Sequence, residues 1–472
     1  MTLPDVDVQI ADAPAQRFAD PSPANWMVAG IAERGPIGTP LLARSLSEFR
    51  SFYGVREASD ALLYDALDVF FREGGRNAYV SRLGGPDHAT ATAELDDDAD
   101  ATLTVTATSP GEWADDISLD VEAFSGGFSI DVLYDGSLVE TSGTLESPGE
   151  AVLWSAQSAY VRLAAVDGGD NPIEQTVSLT GGDDDRGDIT TDEIETALAV
   201  FARDLGAGQV SVPGDTTEAT AEAVLAHAET HKRIARLDGP NDDDDAVALA
   251  AALALRTADG HEFGAPFWPW DTCPGVSPGT SRTVPPCARN AGLFARLLES
   301  GGTPGAPAAG ENLPARYVDG LASPAVSDAV REQLNDAGVN VSRVIRGTVY
   351  TFGNRTLANP LTEGNWAQLN QSTVIAAIAS RGHEIGGRYV HSKIDGKGIR
   401  IGAFEGELTG MMLTEFYTPG DVYGDSPADA FRVIPAVDIG DATATILATI
   451  EARVSPGADR VEISIYKQPI AG

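Results

Sequence analysis

Six histidines and two cysteines are the residues of this chain that could support catalysis or bind a metal. His227 and His231, in the segment HAETH, have the spacing that places two imidazoles on one face of a helix. The segment lacks the glutamate of the zinc motif HExxH and has no third ligand. None of the six histidines stands in the sequence context of a Ser-His-Asp hydrolase triad. We therefore predict no catalytic residue, no metal and no cofactor.

Other short motifs lead to the same result. The sequence contains no phosphate-binding Walker loop and no GxGxxG, and the triplet Arg186–Asp188 matches an adhesion motif only by its letters, inside an acidic turn. A disulfide between Cys273 and Cys287 would contribute about 3 kcal/mol by the chain-entropy argument. A cytoplasmic chain usually keeps its thiols reduced. The pairing of the two cysteines stays open at this point.

The charge of the chain restricts its partners. It has 32 basic and 70 acidic residues among 472, a net charge of −38, and its four lysines are Lys232, Lys393, Lys397 and Lys467. Such a surface repels phosphate groups, so we expect no nucleic acid partner and no binding to anionic lipid. Aspartate runs recur at 96–98, 183–185 and 242–245. Together they are typical of a protein from a halophilic host, in which strong salt screens the repulsion.

Two kinds of segment that the sequence lacks bear on where the protein is found in the cell. No segment approaches the length of apolar sequence that spans a membrane, and the first residues lack the basic and apolar regions of a secretory signal. We therefore expect a protein that does not insert into membranes. It would be made and kept in the cytoplasm, or released by a route other than signal-directed export.

The pattern of elements predicts several domains. Strands and helices alternate in residues 24–87 and again in 186–340, which indicates one α/β domain in two parts. Residues 88–185 between them contain short alternating strands and turns, which indicates an inserted all-β module. Residues 1–23 form an N-terminal arm around the alternating segment DVDVQI, which has no nearby strand to pair with.

A joint between domains is predicted at residues 334–357. Gly338 ends a helix and Gly347 separates two short β-branched runs. We place the start of a C-terminal domain, 341–472, at this point. A helix is expected there over Glu363–Ser380.

Six segments together carry a resemblance to a known family. They are GIAERGPIGTPLLARSLSEFRSFYG with FFREGGRNAYVSRLGG, ATSPGEWADDISLDVE, SLTGGDDD, VPPCARNAGLFARL and LNDAGVNVSRVIRGTVYTFGNRTL. In this order they resemble the successive landmarks of contractile tail sheath proteins, found in myovirus-type tails and in phage-like contractile injection systems. The resemblance runs from about Trp26 to the end of the chain.

This resemblance implies a role for both ends of the chain. In sheaths, terminal arms add as strands to a small sheet of neighbouring subunits. The candidate strands here are alternating segments near the two termini, and their apolar residues are Val6, Val8, Ile10, Val461, Ile463 and Ile465. Pairing of these strands within their own domain is the alternative.

A basic window in the C-terminal domain is the other candidate site. Between residues 381 and 400 the charge is locally +3, and the basic residues are Arg381, Arg388, Lys393, Lys397 and Arg400. The window could be a solvated turn region. Because the resemblance implies an inner tube beside this domain, we expect these side chains to face an acidic tube partner.

The predicted fold class is therefore α+β multidomain, with an α/β main domain, an inserted β-rich module on the outer surface and an α+β C-terminal domain with exchanged terminal strands. The predicted function is a structural sheath subunit, not an enzyme, which polymerises as a helical stack of rings and contracts to drive a tube through a target envelope. The implied partners are further copies, the inner tail tube protein, and baseplate and tail terminator proteins. The location would be a virion tail, with assembly in the host cytoplasm. A subtilisin-like hydrolase and a surface-layer or adhesin-type protein are the alternatives.

Overall fold

The computed structural model describes residues 19–57, 62–97, 100–166, 169–323, 326–439 and 444–459. Its first segment contains β1 (Trp26–Gly30), β2 (Leu41–Ala43), α1 (Leu46–Tyr53), α2 (Leu62–Glu73) and β3 (Ala78–Arg82). Ser45 caps α1, because its hydroxyl accepts a hydrogen bond from the Glu48 N–H at 3.1 Å. The short apolar strands and amphipathic helices follow the order that the sequence predicts.

The second segment is rich in β-strands and includes one helix. Its elements are β4 (Thr92–Asp96), β5 (Ala101–Ala107), β6 (Ile117–Phe124), β7 (Gly127–Tyr134), β8 (Ser137–Thr141), α3 (Pro148–Ser155), β9 (Val161–Ala165) and β10 (Gln175–Ser178). The strands form a three-stranded sheet, β4-β5-β9, and a four-stranded sheet, β10-β6-β7-β8. Leu103 and Val105 of one sheet share a buried cluster with Leu119 and Ile130 of the other. The module therefore has a hydrophobic core of its own.

The third segment returns to alternating helices and strands. Its elements are α4 (Thr191–Ala199), β11 (Gln209–Ser211), α5 (Glu218–His231), β12 (Ile234–Asp238), α6 (Asp245–Ala254), β13 (Gly264–Trp268), β14 (Asp271–Pro274), β15 (Ser281–Val284), α7 (Pro286–Glu299), β16 (Gly320–Leu321), α8 (Asp328–Asp336), β17 (Asn340–Ile345) and β18 (Thr348–Thr351). Strands β15, β14 and β16 form a small sheet in that order.

The last segment contains two long helices and a hairpin: α9 (Leu369–Gly387), α10 (Ile399–Met411), which continues into a π-helical turn at Met412–Tyr417, α11 (Pro427–Ala430), β19 (Phe431–Ile439) and β20 (Ala444–Ala452). The helix predicted over 363–380 begins later and ends later. Glu363 instead belongs to a turn, because its carboxylate accepts a hydrogen bond from the Asn359 N–H at 2.9 Å.

One eight-stranded sheet joins the first and third segments. Its strand order is β18-β17-β13-β12-β11-β1-β3-β2, and the six central strands are parallel while the two outermost pair antiparallel. The chain runs outward from β1 through β3, passes through the inserted module, and returns on the other side of β1 as β11. The two parts of the α/β domain thus form a single sheet, as predicted.

Both faces of this sheet are covered by helices. Trp26 and Val28 of β1 pack into a cluster with α2 and α7, whereas Met27 and Ala29 pack into a cluster with α4 and α5. Successive side chains of a strand point to opposite faces, so a buried parallel strand is apolar at every position. All five residues of β1 are buried.

The buried side chain of Arg82 connects the inserted module to the main sheet. Its guanidinium donates to the carbonyl oxygens of Ala32 and Gly35 in the main domain, each at 3.0 Å, and of Pro110 in the module at 2.7 Å. It also pairs with the carboxylate of Asp184, where the chain leaves the module. Arg82 thereby holds together the two segments of chain that connect the module to the main domain.

Both cysteines are free thiols in the structure, and both are buried. Cys273 lies in β14, where Arg282 Nε donates to its sulfur at 3.2 Å. Cys287 lies at the start of α7, and its N–H donates to Asp238 at 2.7 Å. Burial raises the pKa of both thiols, which makes them poor nucleophiles. The disulfide left open by the sequence is not formed.

The strand pairing corrects the predicted boundary at residue 341. Strand β17 pairs in parallel with β13, and β18 pairs with β17, so residues up to 351 belong to the main sheet. The two predicted runs and the turn at Gly347 are present, but they end the main domain instead of opening a new one. The sequence could not show this because the partner of β17 lies about 70 residues earlier.

A fully buried arginine fixes this sheet edge. Arg289 of α7 bonds through Nε to Asp271 at 2.8 Å, through Nη1 to the Thr351 hydroxyl at 2.7 Å and through Nη2 to the Ser342 hydroxyl at 2.6 Å. Arg289 and Asp271 are both 0% exposed. One side chain thus links α7, β14, β17 and β18.

We expect the substitution Arg289→Met to lower the free energy of unfolding by about 3–5 kcal/mol, because the Asp271 carboxylate would stay buried without its counter-ion. Chemical denaturation measures this loss. The matched control is Arg76→Met, which breaks an ion pair with Glu299 in which Arg76 is 71% exposed and should cost about 0–1 kcal/mol. Equal losses in the two variants would show that the buried pair does not secure this edge.

Candidate functional site: the C-terminal hairpin and the basic segment

The six residues of the predicted exchange strands, at positions 6, 8, 10, 461, 463 and 465, lie outside the described residues. The structure instead shows where the described chain begins and ends. At residue 19 the backbone N–H donates to the Tyr79 hydroxyl at 2.8 Å. At the other end Asp459 pairs with Arg355 at 3.2 Å. The described chain is therefore held at residue 19 by β3 of the main sheet and at residue 459 by the loop that follows β18.

The chain after β20 is held by side-chain amides at the start of α9. Gln371 donates to the Val454 carbonyl at 3.2 Å, and Asn370 donates to the Ser455 carbonyl at 3.2 Å. Gln368 accepts from the Gly457 N–H at 2.9 Å and donates to its carbonyl at 3.1 Å. Four hydrogen bonds from three side chains at one helix end thus determine the path of residues 454–457.

Strands β19 and β20 form a two-stranded sheet with nine paired residues in each strand. Within the described chain no third strand pairs with either of them. Ile439 is 72% exposed and Leu447 is 48% exposed. An isolated hairpin of this length is marginal in water, and unpaired strand edges are templates for another strand.

One face of the hairpin packs on the helices beneath it. Phe431 is buried, and Val433, Ile446 and Ile450 pack against a cluster that contains Phe404 and Leu408 of α10 and Met412. The sequence analysis did not single out this hairpin. Its two alternating runs, FRVIPAVDI and ATILATIEA, are separated by four residues that include a glycine, which is a recognisable hairpin signal.

The basic window has less free charge than its sequence suggests. Arg381 pairs with Glu415 at 2.8 Å and also with Glu384, and Arg388 pairs with Glu407 at 3.0 Å. Two of these carboxylates come from the helical segment 399–417, outside the window. The local excess of positive charge is therefore reduced by groups that are near only in the folded chain.

The remaining basic residues form the turn between α9 and α10. Arg400 donates to the Ser392 hydroxyl at 2.9 Å, and its guanidinium lies 4.6 Å from the centre of the Tyr389 ring. Lys393 and Lys397 are exposed. Residues 381–387 belong to α9, so only the second half of the window is a turn region. The structure separates the predicted set into paired arginines and two exposed lysines.

Two apolar side chains accompany these lysines. Val390 is 65% exposed and Ile399 is 69% exposed, and both flank the turn. Asp395 accepts hydrogen bonds from the backbone N–H groups of Lys397, Ile399 and Arg400, which fixes the turn's shape. These bonds hold the pKa of the Asp395 carboxyl below its ordinary value. The turn between α9 and α10 therefore presents a mixed basic and apolar surface.

The two histidines of the HAETH segment pack against each other. The rings of His227 and His231 stack with centres 4.4 Å apart, and Arg233 Nη1 donates to His227 Nε2 at 2.9 Å. Burial, and then the charge of Arg233, lower the pKa of His227 to about 3. Among the described residues no three histidine, cysteine or acidic side chains are grouped as metal ligands, and no helix is long and apolar enough to cross a membrane.

Because the imidazole of His227 is neutral in the folded chain, we expect the free energy of unfolding to depend on pH. Between pH 8 and pH 5 the imidazole of the unfolded chain, with a pKa of about 6.5, takes up a proton that the folded chain does not bind. The unfolded state is therefore favoured as the pH falls, by about 2 kcal/mol at pH 5. The substitution His227→Gln keeps an acceptor for Arg233 and should remove this part of the loss, as measured by the urea midpoint of tryptophan fluorescence at both pH values.

The control for this experiment is His383→Gln, at an exposed position of α9. It should lose stability between pH 8 and pH 5 as the unmodified chain does. A His227→Gln variant with an unchanged pH dependence would contradict the assignment of a buried, neutral imidazole.

The solved structures that this chain resembles include several sheath proteins. No protein-family model and no curated protein matches the chain. Among solved structures, the sheath tail protein of Listeria innocua aligns with a TM-score of 0.63 at 13% identity, over 92% of this chain and 96% of that one. The sheath tail protein of Desulfitobacterium hafniense aligns with a TM-score of 0.59 at 15% identity, over 95% of this chain and 100% of that one.

A third similar structure comes from an assembled particle. It is the PVC sheath complex of an extracellular contractile injection system in the contracted state, with a TM-score of 0.57 at 12% identity over 99% of this chain and 98% of that one. In all three comparisons the aligned region covers at least 92% of this chain. The predicted α+β multidomain fold is thereby confirmed, and the chain has the fold of contractile sheath proteins.

Proposed function

We propose that this chain is the subunit of a contractile sheath. The observation that carries the proposal is that its fold aligns with those of sheath proteins over nearly the full length of both chains. Copies of the chain stack as rings around an inner tube. The open hairpin is where neighbouring copies connect, and a baseplate and a tail terminator close the two ends of the stack.

The work of such a sheath comes from contacts between subunits, not from a nucleotide. Each subunit moves as a rigid body from an extended, kinetically trapped lattice to a contracted lattice with more buried surface. The continuous eight-stranded sheet and its buried ion pairs supply the required rigidity. The inserted module has its own core and a narrow connection to the main domain, so it fits the outer radius, where it does not interfere with packing.

The terminal arms supply the links between subunits. Val6, Val8 and Ile10 at one end, and Val461, Ile463 and Ile465 at the other, alternate with polar residues as added strands require. The contacts that hold residues 19 and 459 to the body of the subunit support this role, because movements of the body are then transmitted to the neighbour that holds the arm.

The turn between α9 and α10 is proposed to face the inner tube. Lys393 and Lys397 provide its free positive charge, while Arg381, Arg388 and Arg400 mainly shape it through their internal contacts. Complementary charge on the tube would steer and register this contact without making it irreversible. Such a contact can be broken when the sheath contracts.

The acidic composition bears on the salt concentration inside the host. A net charge of −38 in a chain built to pack closely against its own copies requires strong screening. We propose a halophilic host, with the sheath belonging to the tail of an archaeal virus or to a related injection system. The buried His227 does not favour the hydrolase alternative, because its Nε2 already accepts a hydrogen bond from Arg233.

Negative-stain electron microscopy of the purified chain, at high and at low salt, tests the function. We expect hollow helical tubes of uniform diameter, with the tubes favoured at high salt because screening weakens the repulsion between subunits. Deletion of residues 1–15 should abolish stable tubes. Monodisperse monomers under both conditions, also in the presence of the tube protein, would refute the proposal, whereas normal tubes from the truncated chain would refute only the exchange of the N-terminal arm.

Reversal of the two free lysine charges tests the tube contact. The double substitution Lys393→Glu and Lys397→Glu should weaken co-sedimentation with the inner tube protein by about tenfold, since each exposed charge contributes up to about 1 kcal/mol. The control variant, Arg44→Glu with Arg76→Glu, makes the same change in net charge on the main domain. Equal effects of the two variants would show that the turn is not the contact.

A further inference from the structure

An open groove of about 440 Å³ lies along one face of α8. Its first wall is formed by four residues at helical spacing, Asp328, Arg331, Glu332 and Asn335. Its second wall is formed by Val341 and Arg343 of β17 and by residues 352–354, which follow β18. We call this feature the α8 groove. It is separate from the hairpin and from the basic turn described above.

The described part of the C-terminal chain ends at the α8 groove. Gly457, Ala458 and Asp459 line the groove, and Asp459 is the last residue that the structure describes. Two contacts hold this end in place. The Gly457 N–H donates to Gln368 at 2.9 Å, and Asp459 pairs with Arg355 at 3.2 Å. The segment that follows residue 459 is therefore tethered at the groove.

The α8 groove combines apolar surface with charges of both signs. Phe352 is 38% exposed, and its N–H donates to the carbonyl of the buried Val341 at 3.0 Å. The guanidinium of Arg343 lies 4.5 Å from the centre of the Phe352 ring, and Glu332 is exposed on the opposite wall. A segment that fits this surface has apolar side chains on one face and charges of both signs on the other, where they can reach the two walls.

Residues 460–463, RVEI, have this pattern. In an extended chain Val461 and Ile463 share one face, and the two charged residues share the other. The lined face of α8 covers two helical turns and is about 10 Å long, which is the length of about three extended residues. The groove and the segment thus match in length and in polarity.

The charges of this segment favour it over the N-terminal arm as the occupant. Arg460 is opposite in charge to Glu332 of α8, and Glu462 is opposite in charge to Arg343 of β17. The alternating segment DVDVQI of the N-terminal arm carries two aspartates and no basic residue. It would be repelled by the carboxylates of the groove and would leave them without a counter-charge.

We propose, on the basis of the sheath function above, that residues 460–463 of an unassembled subunit occupy the α8 groove of the same chain. Val461 and Ile463 are two of the apolar residues of the candidate exchange strand. A subunit that holds them in its own groove cannot offer this strand to a neighbour. The groove is thus an autoinhibitory site, which keeps free subunits from joining until the segment is released.

The tether makes this small contact effective. Because residue 459 is already held at the groove, docking orders only a few further residues, and the segment is present at a high effective concentration. Ion pairs at an exposed rim contribute little, so the docked segment can be released. If the docked form outnumbers the open form about tenfold, the apparent affinity of one copy for the next falls about tenfold. Removal of the contact should accelerate assembly by up to the same factor.

A photo-crosslink in the full-length chain tests the docking. Ile463 is replaced by p-benzoylphenylalanine, and unlabelled copies are mixed with ¹⁵N-labelled copies at low concentration and low salt, where tubes are not favoured. Mass spectrometry of the irradiated monomers should show adducts with 328–335, 341–343 or 352–354. The isotopes should identify these adducts as links within single copies.

Exchange of one charge pair tests the placement of the segment. The substitution Glu332→Lys should lower the adduct yield about threefold, the effect of one exposed ion pair. The addition of Arg460→Glu should restore the yield, because the two charges are again opposite. A double variant whose yield stays low would overturn the contact between these two side chains.

A matched pair of variants tests the autoinhibitory role. The substitution Asn335→Trp places a large side chain in the groove, whereas Gln333→Trp places the same side chain at an exposed position of α8 outside it. We expect Asn335→Trp to abolish the adducts and to shorten the lag of tube formation, measured by light scattering, by up to about tenfold. Gln333→Trp should change neither. Damage to the fold would slow assembly, so it cannot account for a shorter lag.

The outcomes separate this inference from the sheath function. Monomers without adducts, or with adducts only outside the groove or only between copies, would overturn the docking. An unchanged lag in Asn335→Trp chains that have lost the adducts would overturn the autoinhibitory role. In both cases uniform tubes of the unmodified chain would leave the sheath function intact. A chain that forms no tubes, even with the tube protein, would refute the sheath function and with it the role of the groove.

Discussion

Buried guanidinium groups hold the main domain together, and the rest of the structure depends on them. Arg82, Arg233 and Arg289 are all fully buried, and each binds several partners at once. A guanidinium has five donors in a fixed plane, so it satisfies its partners only when all are correctly placed. In this chain those partners come from loops and strand ends far apart in sequence. The body is thereby made rigid by bonds that are internal and not exposed to salt.

The charged side chains of the molecule are therefore arranged differently in its interior and on its surface. The interior contains paired charges in well-defined geometry, whereas the exterior carries most of the excess acidic residues. The hairpin of the C-terminal domain is the exception, because its edges offer backbone hydrogen bonds instead of charges. Backbone hydrogen bonds between strands depend little on ionic strength, while ion pairs on the surface are screened. A chain adapted to strong salt can therefore connect its copies through strands.

Much of the fold could be predicted from local patterns. The order of strands and helices, the inserted β-rich module and the single sheet formed by its two flanking segments follow from periodicity and turn residues. The error at β17 arose because a turn at Gly347 looks the same whether it ends a domain or begins one, and only pairing with β13 decides. In the candidate site, the pairing of Arg381 with Glu415 spans 34 residues, and no local pattern indicates it. The α8 groove likewise depends on how a helix and a strand lie side by side.

The inserted module has a consequence for the evolution and use of this scaffold. The segments of chain that enter and leave the module lie side by side. The Gly85 N–H donates to the Asp184 carbonyl at 2.9 Å, and Ala89 pairs with Asp183. Its core is separate from the two cores of the main sheet. A domain of different sequence and size can replace it at these two points as long as its ends lie equally close. The lattice would then carry a new outer coat in regular array, while the parts that assemble stay the same.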